Sequence, residues 1–142
     1  MNLKSTFIFR KLWPAFVWAL FILLLVGFPG EHIPKITSFW EWIGFDKIVH
    51  LFIFAPLSFL LLHGVRQQYF ESKRRYLYLL TAFGISLAYG LLTEVLQVHV
   101  FIGRYGNVYD FYADSIGAFV GCLGFVLVYG KKIKTYSNTK QD

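Results

Sequence analysis

The chain has 142 residues, of which 56% are hydrophobic and 20% aromatic, with a formal net charge of +6. Its mean hydropathy of +0.52 leaves too little polar surface for a water-soluble domain of this length, so an integral membrane protein is expected. The excess of cations does not point to nucleic acid: Lys and Arg gather at segment ends, where the positive-inside rule and anionic lipid account for them, and no Arg/aromatic recognition pattern accompanies them.

The first eleven residues are short and basic, with Lys4, Arg10 and Lys11. Leu12–Phe28 is an uncharged run predicted to be the first helix, about 26 Å long, with Pro14 in its first turn. The exit GFPGEHIP lacks a small-x-small cleavage pattern, so a cleaved signal peptide is not expected. Pro29–Pro34 reads as a turn. In SFWEWIGFDK, Phe39, Trp40, Trp42 and Phe45 interleave with Glu41 and Asp46. Tryptophan favours the headgroup level, so this short aromatic segment is expected to lie on the membrane surface.

Ile48–Val65 is the second predicted helix, with His50 near its start and His63 near its end. Arg66–Arg75 is a basic hinge. Leu77–Val98 is the third helix, ending in Glu94 and Gln97, and His99–Tyr109 is a loop carrying Arg104 between two glycines. Phe111–Gly130 is the fourth helix, and Lys131–Asp142 is a polar basic tail expected to be disordered beyond a few residues. The expected architecture is therefore all-α, a single domain built as an integral membrane four-helix bundle. Eleven of the fourteen Lys and Arg residues fall in the N-terminus, hinge and tail, which places both termini in the cytoplasm and the other two connections outside. Cys122 is the only cysteine, which excludes an internal disulfide and a cysteine-based metal cluster.

With this topology the second helix starts, the third ends and the fourth starts at one face. Asp46 and His50 are four residues apart, Glu94 and Gln97 three, Asp110 and Asp114 four, so each pair shares a helix face. His50, Glu94 and Asp114 each lie about one turn, roughly 5 Å, inside their helix's outer end. An acid or base at a helix centre costs about 2.5–3.5 kcal/mol in a bilayer and is tolerated where it faces the bundle interior or a wet cleft. The three segments are therefore expected to form one polar site. On the fourth helix, Ala113, Gly117, Gly121 and Gly124 form a small-residue packing face, and Gly84 and Ala88 are expected to serve the same purpose on the third. His63 is expected at the inner interface, His32 and His99 in solvated loops, and Tyr89 and Tyr109 in packing or belt roles.

Together these residues resemble the VanZ-like family of small bacterial membrane proteins over roughly Phe39 to Gly130. The resemblance is carried by Asp46-Lys47-x-x-His50, by Glu94-x-x-Gln97, and by Gly103-Arg104 followed by Asp110-x-x-Ala113-Asp114-x-x-Gly117, with Gly121 beyond. The chain departs from the family where members often carry Asp and His and it has Thr93 and Leu96, and in having Asp114 where many have Asn. The resemblance implies a cell-membrane protein whose named relative is associated with low-level resistance to teicoplanin, a lipid-tailed glycopeptide that targets cell-wall precursors at the outer membrane surface.

Three readings of the polar cluster stand side by side. In one it binds or modifies an envelope lipid, a lipid-linked cell-wall precursor or a lipoglycopeptide. There His50, Glu94, Asp110 and Asp114 are the candidate catalytic groups for proton transfer, and Asp46, Lys47, Gln97 and Arg104 are candidate binding groups, Arg104 for a phosphate or carboxylate. In the second, Arg104 and Lys47 neutralise Asp46, Asp110 and Asp114 in a structural ion network. In the third, His50, Glu94, Asp110 and Asp114 hold a divalent cation with mixed N/O ligands. Transport is disfavoured by the small number of helices and the lack of an inverted repeat.

Overall fold

The computed structural model describes the backbone of residues 3–27, 44–101 and 108–139, and side chains within 11–27, 44, 46–101 and 108–130. Among the described residues helix is the regular secondary structure and there is no strand: α1 (Leu3–Val26), α2 (Phe45–Gly64), α3 (Arg66–Glu71), α4 (Arg75–His99) and α5 (Val108–Thr139). Phe39, Trp40 and Trp42 of the expected surface segment, His32, and residues 102–107 with Arg104 lie outside the described residues. The His99–Tyr109 loop is shorter than expected, since His99 closes α4 and Val108 and Tyr109 open α5.

Three helices are long and apolar enough to cross a bilayer: Asp46–Gly64 with 19 residues, Arg75–His99 with 25 and Val108–Gly130 with 23. At 1.5 Å per residue, even the shortest approaches the ~30 Å hydrocarbon core. A shorter apolar helix, Lys11–Val26, stands beside them. Large apolar side chains such as Phe16, Leu24, Phe52, Leu127 and Val128 face outward, as lipid contact requires.

Several boundaries differ from expectation. The first helix begins at Leu3, so Pro14 sits inside it rather than in its first turn. Pro56 likewise lies inside α2. Each removes one backbone donor, which neighbouring helices make tolerable in a membrane. The hinge contains the short helix α3. The tail expected to be disordered continues α5 to Thr139. No Gly or Pro interrupts residues 131–139, so nothing local stops the helix once it is propagating.

The helices run up and down. At one end, a Cβ on Gly64 would meet the Leu12 side chain, and Lys11 Nζ donates to Gln67 Oε1 at 3.1 Å. At the other, a Cβ on Gly27 would stand 3.0 Å from the Phe101 ring. α2 is central: it packs most extensively on α5, and also on α1 and α4. The α1–α2 layer buries Ile22, Val26, Ile53, Phe54 and Leu57. It is pinned by Trp18 Nε1 donating to the Ile53 carbonyl at 2.7 Å, while Tyr89 Oη on α4 donates to the Ala19 carbonyl at 2.6 Å. A second cluster, Leu62, Tyr69, Ala82, Cys122 and Phe125, fills the end nearer the hinge. His63 lies there, 2.8 Å from Tyr129 Oη and stacked on Phe59.

The α2–α5 contact is close because α5 has no side chain where α2 crosses it. A Cβ on Gly117 would collide with the Leu51 carbonyl, and one on Gly121 with the Ala55 carbonyl. Ser58 Oγ then reaches across to donate to the Ala118 carbonyl at 2.8 Å. Gly124 has only a distant contact with Phe59, so the tight seam ends before it. The expected packing face on α4 is corrected: Gly84 and Ala88 point outward, and a Cβ on Gly84 would meet nothing. The buried stripe is Ala82, Ser86, Gly90, Thr93, Glu94 and Gln97 instead. Its spacing follows the 3.6-residue helical repeat, and it packs because its members are small or polar.

Candidate functional site

The site is built from the ends of three helices, all at the end opposite the basic hinge. Gly44, with φ of 67°, turns the chain into α2, and the Lys47 N–H donates to its carbonyl at 2.8 Å. That left-handed backbone suits glycine. It sets the first turn of α2, so Asp46 and His50 share one face and Lys47 points from the adjacent one.

His50 is 2% exposed and Asp114 fully buried, and His50 Nδ1 lies 2.8 Å from Asp114 Oδ1. A carboxylate at that distance assigns the proton of a neutral ring to Nδ1, leaving a lone pair on Nε2. Nε2 faces Asp46, whose Oδ1 is 4.0 Å away and whose side chain is half exposed. The imidazole therefore lies between a buried carboxylate and a solvent-accessible one. Such an arrangement orients the ring and stabilises it if it takes up a proton, the logic of a positioned general base.

Lys47 Nζ donates to Asp110 Oδ1 at 3.0 Å, where Asp110 is buried and the lysine about one-third exposed. This pair ties the first turn of α2 to the first turn of α5. Charge-assisted bonds of this kind are shorter and stronger than neutral ones.

α4 supplies the third side. Glu94 is 8% exposed and Gln97 2%. One ligand-capable atom from each of His50, Glu94 and Asp114 lies within 4.8 Å of the others, and the same holds for Asp46, His50 and Asp110. Asp114 Oδ2 faces α4 at Gly90: a Cβ on Gly90 would stand 3.0 Å from it and 3.4 Å from the Phe54 ring. Gly90 is thus a site residue that sequence reasoning missed. Its signal was a glycine four residues before Glu94, on the same face, inside an apolar helix. Among the described residues, Asp114 Oδ2 and Gln97 Oε1 have no hydrogen-bond partner. A buried polar atom left so costs about 1–3 kcal/mol, a cost that a donor or cation beside these oxygens would offset.

Between α4 and α5 a shallow cleft of about 200 Å³ leads to Glu94, walled by Leu91, Val95, Val98, Val108 and Phe111, with His99 at its edge. Apart from Glu94 and His99 its lining is apolar. Arg104 lies outside the described residues. Tyr109 is exposed and Tyr89 belongs to the α1–α2–α4 core, so neither lines the His50–Asp114 pair.

The structure brings together, from three helices distant in sequence, Asp46, Lys47, His50, Glu94, Asp110 and Asp114. Among curated proteins and solved structures, none matches the chain. The VanZ/LLP1 family model matches residues 4–129, which cover all three motif elements and most of the four long helices that carry and support them. The chain belongs to the VanZ/LLP1 family.

Proposed function

We propose that the chain is a four-pass protein of the bacterial cell membrane with both termini cytoplasmic, and that its polar site faces outward. There it binds or modifies a cell-envelope lipid or lipid-linked precursor. The orientation rests on charge: eleven of fourteen Lys and Arg residues lie in the N-terminus, hinge and tail, opposite the His50–Asp114 end. The observation that carries the reading is the buried His50–Asp114 pair at 2.8 Å, clustered with Glu94, which also lines a largely apolar cleft between α4 and α5. A largely apolar cleft with Glu94 in its lining suits an amphiphile whose head must reach polar groups while its tail stays in lipid. His50, held by Asp114, accepts a proton from a bound head group, and Glu94 orients or protonates it. Arg104 supplies the countercharge for a phosphate or carboxylate.

Glycopeptide susceptibility is the phenotype this reading connects to, because such drugs and their targets meet at the same surface. The test is profiling of lipids and cell-wall precursors, with teicoplanin susceptibility, in cells making wild type, His50→Gln or Glu94→Gln at equal abundance. The expected result is a change seen with wild type and lost in both variants. Identical profiles for all three would refute the reading.

Lys47–Asp110 favours a second, structural role for part of the network. An ammonium bonded to a buried carboxylate across α2 and α5 fixes helix register and leaves little freedom for chemistry. The clamp and the His50 pair divide the two tasks between them.

A further inference from the structure

We infer that His50, Glu94 and Asp114 form a binding site for one divalent first-row cation, Mn2+ or Zn2+. The inference deepens the proposed function, since it assigns a cofactor to the same pocket.

All three donors are buried, and their ligand atoms lie within 4.8 Å of one another. Buried ligands on three packed helices are held with little freedom, as a metal site needs. His50 Nδ1 and Asp114 Oδ1, at 2.8 Å, already approximate the ~3 Å edge of an octahedron with ligands about 2.1 Å from its centre. A cation takes the place of the proton on Nδ1, and the neutral ring then carries its proton on Nε2 beside Asp46. With the ion bound, His50 is a ligand and no longer the proton acceptor. Glu94 supplies the third ligand from α4, its nearest carboxylate oxygen within 4.8 Å of the other two donors.

An independent observation points to a ligand. Asp114 is fully buried, and its Oδ2 has no hydrogen-bond partner among the described residues while facing the helix that carries Glu94. Gln97 Oε1, one turn beyond Glu94, is also without one. Both are oxygen donors of the kind a hard or borderline cation takes. The neighbouring triad, Asp46, His50 and Asp110, is the poorer candidate. Its Asp110 is already bonded to the Lys47 ammonium, whose charge repels a cation, and Asp46 is half exposed. One imidazole with carboxylates selects Mn2+ or Zn2+ over Ca2+ and Mg2+, which prefer oxygen alone, and the absence of thiolate from the triad disfavours Cu(I).

The test uses the full chain purified in detergent, stripped with chelator, and titrated calorimetrically with MnCl2, ZnCl2 and MgCl2. One Mn2+ or Zn2+ per chain is expected, with Mg2+ at least about tenfold weaker. Glu94→Gln and His50→Gln should each lose about tenfold or more in affinity, while His63→Gln, at the other end of the bundle, keeps it. X-ray absorption of the loaded wild type should report a single imidazole nitrogen among oxygens, a readout that does not depend on any variant folding. Failure of wild type to take up either ion, wild-type affinity in both variants, or a first shell with no imidazole or several, overturns the inference. Metal uptake with unchanged lipid and precursor profiles upholds this site and removes the proposed function. Changed profiles without metal uptake do the reverse.

Discussion

Gly90 and Asp114 sit face to face across the α4–α5 contact, with Asp114 Oδ2 3.0 Å from where a Cβ on Gly90 would stand. The missing methyl is what lets the carboxyl group stay between α2 and α4 while its other oxygen meets His50. Gly90→Ala gains about 1 kcal/mol of helix propensity and loses a similar amount by displacing Asp114, so its stability should stay within about 1 kcal/mol of wild type. Gly90→Leu overpacks the site and should cost about 3 kcal/mol or more. Unfolding measured in detergent decides this, and a Gly90→Leu chain as stable as wild type would contradict the close approach.

Lys47 and Asp110 allow a cleaner energetic test. Lys47→Met leaves a buried carboxylate without its ammonium and is expected to cost about 3 kcal/mol. Adding Asp110→Leu removes the orphaned charge, so the double variant should recover at least 1 kcal/mol of that loss. The cycle is read from unfolding midpoints. Purely additive losses would mean the 3.0 Å pair carries no coupling.

The α2–α5 seam separates glycines that must be small from one that need not be. Gly117→Leu and Gly121→Leu would drive side chains into the Leu51 and Ala55 carbonyls, and both should abolish accumulation of folded protein. Gly84→Ala meets nothing and should be neutral or stabilising by up to about 1 kcal/mol. Membrane abundance and thermal stability of the three variants give the comparison, and equal behaviour at all three positions would contradict the seam.

Topology yields a further expected outcome. A reporter enzyme active only in the cytoplasm should work when fused after Asp142 or inserted near Lys73, and fail when inserted near Pro34. The opposite pattern would place the His50–Asp114 end at the cytoplasmic surface and leave the site without access to the outer leaflet.

Much of this was legible in the residues alone. Uncharged runs must become helices in lipid because every backbone donor and acceptor has to be satisfied within its own segment. That reasoning located the four long helices and put His50, Glu94 and Asp114 at one end of the bundle. Pairs at i and i+4, such as Asp46 and His50, share a face by helical geometry and needed no structure. Helix ends were less legible: α5 runs on to Thr139 because a growing helix stops only where something local stops it.

What the residues alone did not decide was how each helix is rotated about its axis. α4 is apolar nearly all round, so Gly84 and Ala88 looked as suited to packing as Ser86, Gly90 and Thr93, and only contact with α2 and α5 selects the second stripe. The same holds for partner choice. Lys47 was expected to help neutralise Asp46, Asp110 and Asp114 together, but the depth of α5 against α2 gave the long, flexible lysine to the outer acid, Asp110, and the short imidazole of His50 to the inner one, Asp114. Periodicity and the cost of burying charge determined which residues had to meet. Interhelical packing, which depends on shape at every crossing, determined which atoms do.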